Sequence, residues 1–182
     1  MIPIEAVVIL LWLIFGFVGL VRRFPVELGA TIGLTAMLFM LQLAGGRLGD
    51  VAVSVLTKVG LDTDPSLMKW FAYSGLIAAW VFFMYAGQTL SFPGMWPPNR
   101  VVGTILDTTI GLFNGWIVVG TWWHFTDVLA YPIKQWGLYV EPLSARATQL
   151  LGYAPQALIP DSYGTAIIGG FLVLLIALRV FR

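Results

Sequence analysis

Residues 101–126 form an apolar stretch with a single charged side chain, the carboxylate of Asp107. The stretch is long enough to cross a bilayer as one helix. Gly103, Asp107, Gly111 and Gly115 follow one another at intervals of four residues, so they share one side of that helix. An acid at that depth is costly in lipid, and such residues usually face protein or a water-filled cavity. We therefore expect this side of the helix to face the interior of a membrane bundle.

The composition is that of an integral membrane protein. Charged residues make up 10% of the 182 residues, against about 25% in an average soluble domain. This length leaves room for several helices and short loops, and for no separate soluble domain. A net charge of +1 without a basic cluster argues against nucleic-acid binding. The chain has no cysteine, which excludes disulfides and thiol chemistry.

Five apolar stretches predict an all-α fold, a polytopic helix bundle that forms one transmembrane domain. They are residues 2–21, 26–45, 67–92, 101–128 and 163–180. The first two are so close that they must form a tight helical hairpin. Pro25 suits the first turn of the second helix, and the carboxylate of Glu27 suits its positive end. A proline-rich run at 93–98 ends the third span, because such a run cannot continue a helix.

Two longer connections have amphipathic patterns that predict short helices. In residues 48–61, Leu48, Val51, Val55 and Val59 share a helical face from which the charged residues are absent. Residues 142–158 have a similar apolar face. Both patterns are typical of helices that lie on the membrane surface. Short helices packed on the ends of the bundle would have the same pattern, and the two interpretations are equally good.

The basic residues predict the orientation in the membrane. Five arginines fall on one side of a five-span bundle, in very short segments: Arg22, Arg23, Arg100, Arg179 and Arg182. Five basic residues on the other side are spread over longer connections: Arg47, Lys58, Lys69, Lys134 and Arg146. The denser side is expected to be cytoplasmic, with the N-terminus outside and the C-terminus inside. Five tryptophans near the expected span ends resemble interfacial anchors: Trp70, Trp96, Trp122, Trp123 and Trp136.

Small residues four apart indicate close helix packing. Gly29 and Gly33 form such a pair in the second span, and Gly111 and Gly115 form one in the fourth. This spacing lets helix backbones approach closely in lipid. We therefore assign a packing role to these four glycines and to Gly103. We predict that Gly111 and Gly115 pack directly against the Gly29/Gly33 face of the second span.

Asp107 has three interpretations. It could accept hydrogen bonds from a neighbouring helix in a structural role, or it could relay protons or bind a cation. It could also lie at the membrane interface, because it is only about 10 Å from Arg100 along the helix. Asn114 is near the same face and could share a polar seam with it. Transport sites need convergent polar groups, and the spans add little beyond Gln42 and Gln88, which favours the structural role.

His124 is the only histidine, and it follows two tryptophans near the end of the fourth span. An imidazole there could ligate the metal of a haem or chlorophyll. No second ligand is evident, and an interfacial residue beside a tryptophan belt is the simpler interpretation. We expect no metal site and no resident cofactor, apart from pigment or lipid contacts inside a larger complex.

Sequence motifs for catalysis are absent. The chain has no G-x-S-x-G, H-E-x-x-H or Walker sequence. It also lacks a second histidine that could pair with His124. We therefore expect that the protein is not an enzyme.

Two stretches resemble the CvpA (colicin V production protein) family. The first is residues 2–32, with an acid near the start, a first span and a basic hairpin turn. Arg22, Phe24 and Glu27 match the family's pattern at that turn, whereas Arg23 stands where the family usually has glycine and Pro25 is a further departure.

The second stretch begins Asn99-Arg100-Val101-Val102-Gly103 and continues to residues 111–115. It is similar to the family's Asp-Arg-x-x-Gly followed by a glycine-rich helical segment. Asn99 replaces the acid, and Asn114 stands near a frequent arginine. The resemblance implies a small polytopic inner-membrane protein of a prokaryote, associated with production or export of a peptide toxin.

Three functional hypotheses follow. The first is a CvpA-like accessory or scaffold protein, whose partners are the bilayer and other membrane proteins or a second copy of the chain. The second is an accessory transmembrane subunit of a large photosynthetic or respiratory complex, favoured by the eight tryptophans and an aromatic content of 14%. The third is a small channel or transporter that uses Asp107 and Asn114.

Overall fold

A computed structural model describes residues 3–60, 64–86, 91–92, 95, 97–137, 143–159 and 162–181. All regular structure in these residues is helical, and the predicted all-α class is confirmed for this part of the chain. The α-helices are α1 (Ile4–Arg22), α2 (Phe24–Lys58), α3 (Pro65–Tyr85), α4 (Arg100–Val128), α5 (Ala145–Leu151), α6 (Pro155–Leu158) and α7 (Gly164–Val180). A short 3₁₀ helix, Pro132–Trp136, follows α4.

Helices α1 to α4 are each long and apolar enough to cross a membrane, and α7 is a shorter apolar helix of 17 residues. Helix α7 runs antiparallel to α2 and packs along it. A Cβ built on Gly164, at the start of α7, would lie 3.2 Å from Gln42, and one built on Gly169 would lie 3.1 Å from Phe39. Near the end of α7, Leu175 packs with Ile32. The chain is therefore a helical membrane protein with α7 flanking the second span.

The turn between α1 and α2 is a single residue. Arg23 has φ 74° and ψ 152°, and its N–H donates to the Gly19 carbonyl at 2.8 Å, which ends α1. Pro25 then occupies the first turn of α2, where its missing N–H costs nothing. The turn is as tight as the short connection predicts, although beyond it α1 packs mainly on α4 and makes little contact with α2. We call the end of the bundle that contains this turn the hairpin end.

Helix α2 is much longer than expected, with 35 residues and a length of about 52 Å. The prediction of a separate surface helix over residues 48–61 is wrong, because α2 runs without a break through Lys58. No proline interrupts residues 26–64, and α3 contacts α2 where this extension begins. The Tyr73 hydroxyl donates to the Gly45 carbonyl at 2.8 Å, and Lys69 pairs with Asp50 at 2.7 Å.

The second amphipathic pattern forms the two short helices α5 and α6, which pack on the opposite end of the bundle. Ala147 of α5 is fully buried in a cluster with Ile4 and Val8 of α1 and Val119 of α4. A Cβ on Gly120 of α4 would lie 2.6 Å from Pro155, the first residue of α6. Of the two interpretations of this segment, packing on the bundle end agrees with these contacts.

Helix α4 lies between α1 and α2, and glycines bring α1 and α4 into close contact. A Cβ on Gly111 would collide with the Phe15 carbonyl and lie 2.9 Å from the Cα of Gly19. A Cβ on Gly115 would lie 2.6 Å from the Phe15 Cβ. The predicted pairing of these glycines with the Gly29/Gly33 face is therefore wrong. The reason is that α1 brings its own glycine, Gly19, to the contact.

The Gly29/Gly33 face has other neighbours. Gly29 is buried, and a Cβ on Gly33 would collide with the sulfur of Met84 in α3. The Gly33 carbonyl also accepts a hydrogen bond from Trp80 Nε1 at 2.9 Å. Gly33 thus lets α3, not α4, approach α2. Gly103 lies against Pro97, 3.5 Å from where its Cβ would be.

Candidate functional site

A cluster of buried polar groups near the hairpin end joins four helices around Glu27. Glu27 lies in the first turn of α2 and has no exposed surface. Its Oε2 accepts hydrogen bonds from the Tyr85 hydroxyl at 3.0 Å and from Asn114 Nδ2 at 2.8 Å. Its Oε1 lies 3.3 Å from Nη1 of Arg22. A carboxylate at this depth is retained because α1, α3 and α4 each supply it with a partner.

Asn114 connects α4 to α2 through both ends of its amide. Its Nδ2 also donates to the Glu27 backbone carbonyl at 3.1 Å, and its Oδ1 accepts from the Thr31 hydroxyl at 2.7 Å. Asn114 is fully buried and Thr31 nearly so. The amide therefore satisfies its hydrogen bonds inside the protein, and it binds α2 at Glu27 and Thr31, which are one helical turn apart.

Arg22 closes the cluster toward the hairpin end. Its guanidinium carbon lies 4.3 Å from the centre of the Tyr85 ring, a cation–π contact. Its Nη2 lies 3.5 Å from the Met84 carbonyl. The Arg22 side chain keeps 17% of its surface exposed. Nη1 and the Oε1 of Glu27 are buried without a hydrogen-bond partner in the described residues, so the two charges attract without forming an aligned hydrogen bond.

Asp107 has a different task from Asn114. It is 4% exposed, and its Oδ1 accepts a hydrogen bond from the backbone N–H of Phe24 at 2.6 Å. The first N–H groups of a helix have no partner within it, and they form its positive end. Asp107 of α4 therefore caps α2 from outside, which agrees with the structural interpretation. The two side chains of the predicted polar seam bind different parts of α2.

His124 lies near the end of α4 with its ring 5.6 Å from the ring of Phe125, edge to face. Among the described residues, no three histidine, cysteine or acidic side chains are grouped so that they could hold a metal ion. Gln88, Trp96 and Arg182 lie outside the described residues.

Tryptophans at the end of the bundle opposite the hairpin bind polar groups of neighbouring elements. Trp70 Nε1 donates to the Thr126 hydroxyl at 2.9 Å, and Trp122 Nε1 donates to the Ser74 hydroxyl at 3.1 Å. Trp123 Nε1 bonds the Tyr131 hydroxyl at 3.0 Å. Trp70 and Trp122 thus hold α3 to α4, and Trp123 holds the segment that follows α4, at the end of the bundle where interfacial anchors were predicted.

Glu27 is the centre of the polar cluster, whereas the sequence predicted for it only a position at the positive end of α2. The information was available, because Glu27 is the only charged residue in residues 24–46. Like Asp107, it is a lone carboxylate in an apolar span, and such an acid must find partners inside the protein. Its partner Tyr85 could not be found this way, since an uncharged tyrosine within an apolar span does not stand out.

Comparisons with known proteins identify no relative of this chain. No family model matches the sequence, and neither curated proteins nor solved structures give a match. The resemblance to the CvpA family therefore stays a prediction that rests on the quoted residues.

Proposed function

We propose that this chain is a CvpA-like accessory or scaffold protein of a prokaryotic cytoplasmic membrane. The observation that supports the proposal is that both buried carboxylates bind neighbouring helices. Glu27 and Asp107 are both engaged by groups of neighbouring helices, through the Tyr85 hydroxyl, the Asn114 amide and the Phe24 N–H. Carboxylates bound in this way fix the arrangement of the helices, and few polar side chains within the bundle remain for catalysis or transport.

The proposed topology has five membrane-spanning helices, α1 to α4 and α7. Support for the fifth comes from its path, since α7 follows α2 from Gln42 to Ile32 in the opposite direction. The arginines at the hairpin end then make that side cytoplasmic, with the N-terminus outside and the C-terminus inside.

A scaffold protein needs surfaces that other membrane proteins can cover. Helix α1 offers one, because its outer side is apolar and largely uncovered: Leu10 is 60% exposed, Leu13 57% and Phe17 66%. Association with export of a peptide toxin is an inference from the CvpA resemblance alone. An accessory subunit of a photosynthetic or respiratory complex would use the same kind of surface, and it is the second candidate.

Mild detergent extraction tests the proposal. Membranes that contain the tagged full-length chain are solubilised, and the chain is followed on native gels. We expect it to migrate with other membrane proteins, well above its own 20.0 kDa. Identification of the partners and of any pigment by mass spectrometry and absorbance separates the two candidates. Migration as a lone chain in every mild detergent would overturn both.

A channel or transporter that uses Asp107 has less support, because that carboxylate already binds the start of α2. Flux measurements in liposomes address this alternative directly. We expect no ion or solute flux above that of empty liposomes. A flux that disappears in Asp107→Asn protein would favour transport over the scaffold.

A further inference from the structure

A cavity of about 390 Å³ opens at the hairpin end, between the α1–α2 turn and the start of α4. Its polar lining comes from Arg23, Asn99, Arg100, Thr104 and Asp107. This volume is within the range of small-molecule sites. In the proposed topology, the cavity lies where the bundle meets the cytoplasmic headgroup region.

Two guanidinium groups approach the cavity from different elements. Arg23 comes from the hairpin turn and Arg100 from the first turn of α4, and both are exposed. Within the part of the chain that the structure describes, neither forms an ion pair. The side-chain oxygen of Asn99 accepts a hydrogen bond from the Val102 N–H at 2.9 Å. Its NH₂ group therefore remains as a hydrogen-bond donor for a ligand.

The backbone at Arg23 gives a second, independent reason to assign a role to this side chain. Its φ of 74° with ψ of 152° belongs to a region that is almost confined to glycine. Glycine would make the same turn without strain. The chain nevertheless places an arginine there, on the wall of a cavity that holds a second arginine. Strained residues of this kind are concentrated at ligand sites.

We propose that this cavity binds a phosphate group, and specifically the phosphodiester of a phospholipid headgroup. Guanidinium groups bind phosphate oxygens in a bidentate way, and two of them suit one phosphate. Asp107 on the cavity wall repels multiply charged anions, so a singly charged phosphodiester fits better than free phosphate. The proposal goes beyond the scaffold function, and it rests on the proposed topology only for the position of the cavity at the headgroup region.

Native mass spectrometry of the full-length protein in mild detergent tests the proposal. Phosphatidylglycerol is titrated against the protein, with diacylglycerol of the same acyl chains as the lipid that lacks phosphate. Arg23→Gly and Arg100→Gln remove the two guanidinium groups. Arg47→Gln is the matched control, since Arg47 is exposed and lies about 36 Å along α2 from Arg23.

We expect each cavity variant to weaken phosphatidylglycerol binding about tenfold, the loss of one charge-assisted interaction, while Arg47→Gln binds like the parent. Glycine accommodates the turn, so Arg23→Gly should fold and decides the question even if Arg100→Gln does not. Equal binding by parent and Arg23→Gly, or diacylglycerol binding as tight as that of phosphatidylglycerol, would overturn the proposal.

A competition arm distinguishes a lipid from a soluble source of the phosphate. Glycerol 3-phosphate and inorganic phosphate are added to the protein–lipid complex. Failure of both to displace phosphatidylglycerol at millimolar concentration supports the headgroup assignment. Displacement by either one overturns it in favour of a soluble phosphate ligand. Neither result changes the partners found by mild extraction, so this proposal and the scaffold function fail separately.

Discussion

The close contact between α1 and α4 predicts that even one methyl group at Gly111 destabilises the protein. A Cβ there would lie 2.9 Å from the Cα of Gly19 and would collide with the Phe15 carbonyl. Carbon atoms pack best at about 3.5–4.0 Å, so the helices would have to separate by at least about 0.6 Å. Both obstacles are backbone atoms, which cannot rotate away as a side chain can.

The magnitude follows from two opposing effects. Overpacking a tight contact costs about 1–3 kcal/mol, and rigid backbone obstacles place Gly111→Ala in the upper half of that range, at about 2–3 kcal/mol. Alanine is favoured over glycine inside a helix by about 1 kcal/mol. The expected net loss for Gly111→Ala is therefore about 1–2 kcal/mol, and Gly111→Leu should lose more.

Equilibrium unfolding in mixed micelles, followed by tryptophan fluorescence as the SDS fraction rises, measures this difference. Gly170→Ala in α7 is the matched control, because a Cβ there has no described atom within 4 Å. The control should be as stable as the parent or more stable by up to about 1 kcal/mol. Equal stability of the Gly111→Ala and Gly170→Ala proteins would refute close packing of α1 on α4.

Three further predictions use the same unfolding measurement. Glu27→Gln should cost about 3 kcal/mol, the low end for breaking a buried ion pair, because Arg22 is 17% exposed. The double variant Glu27→Gln/Arg22→Gln should lose less stability than the sum of the two single losses. Strictly additive losses would contradict the ion pair. Asp107→Ala should cost about 1–2 kcal/mol of stability because the Phe24 N–H loses its acceptor. Asp107→Asn keeps a side-chain oxygen and should lose less stability. Equal losses for the two variants would argue against the cap. Arg23→Gly should stabilise the protein by about 1 kcal/mol. Relief of about 1–3 kcal/mol of backbone strain exceeds the cost of the conformational entropy that glycine adds to the unfolded chain. A variant less stable than the parent would contradict the strain.

Local features of the sequence determine the helices and the hairpin. The apolar stretches, the lack of charge within them and the short connection at residues 22–25 all act between near neighbours in the chain. They are enough to predict an all-α membrane protein and an α1–α2 hairpin. The same local logic placed Asp107 against protein, because an uncompensated acid in lipid is too costly to retain.

Tertiary structure alone decided which helices are neighbours. The Gly111 face could have packed on any helix with small residues, and in the structure it packs on Gly19 of α1. Residues 48–58 are amphipathic in any setting, but they continue α2 without a break, and α3 holds the start of this stretch through the Lys69–Asp50 pair. Glu27 has its partners on three helices, at separations of 5, 58 and 87 residues. The contacts with Tyr85 and Asn114, which lie 58 and 87 residues away, depend on how the helices assemble, and periodicity within one helix does not encode them.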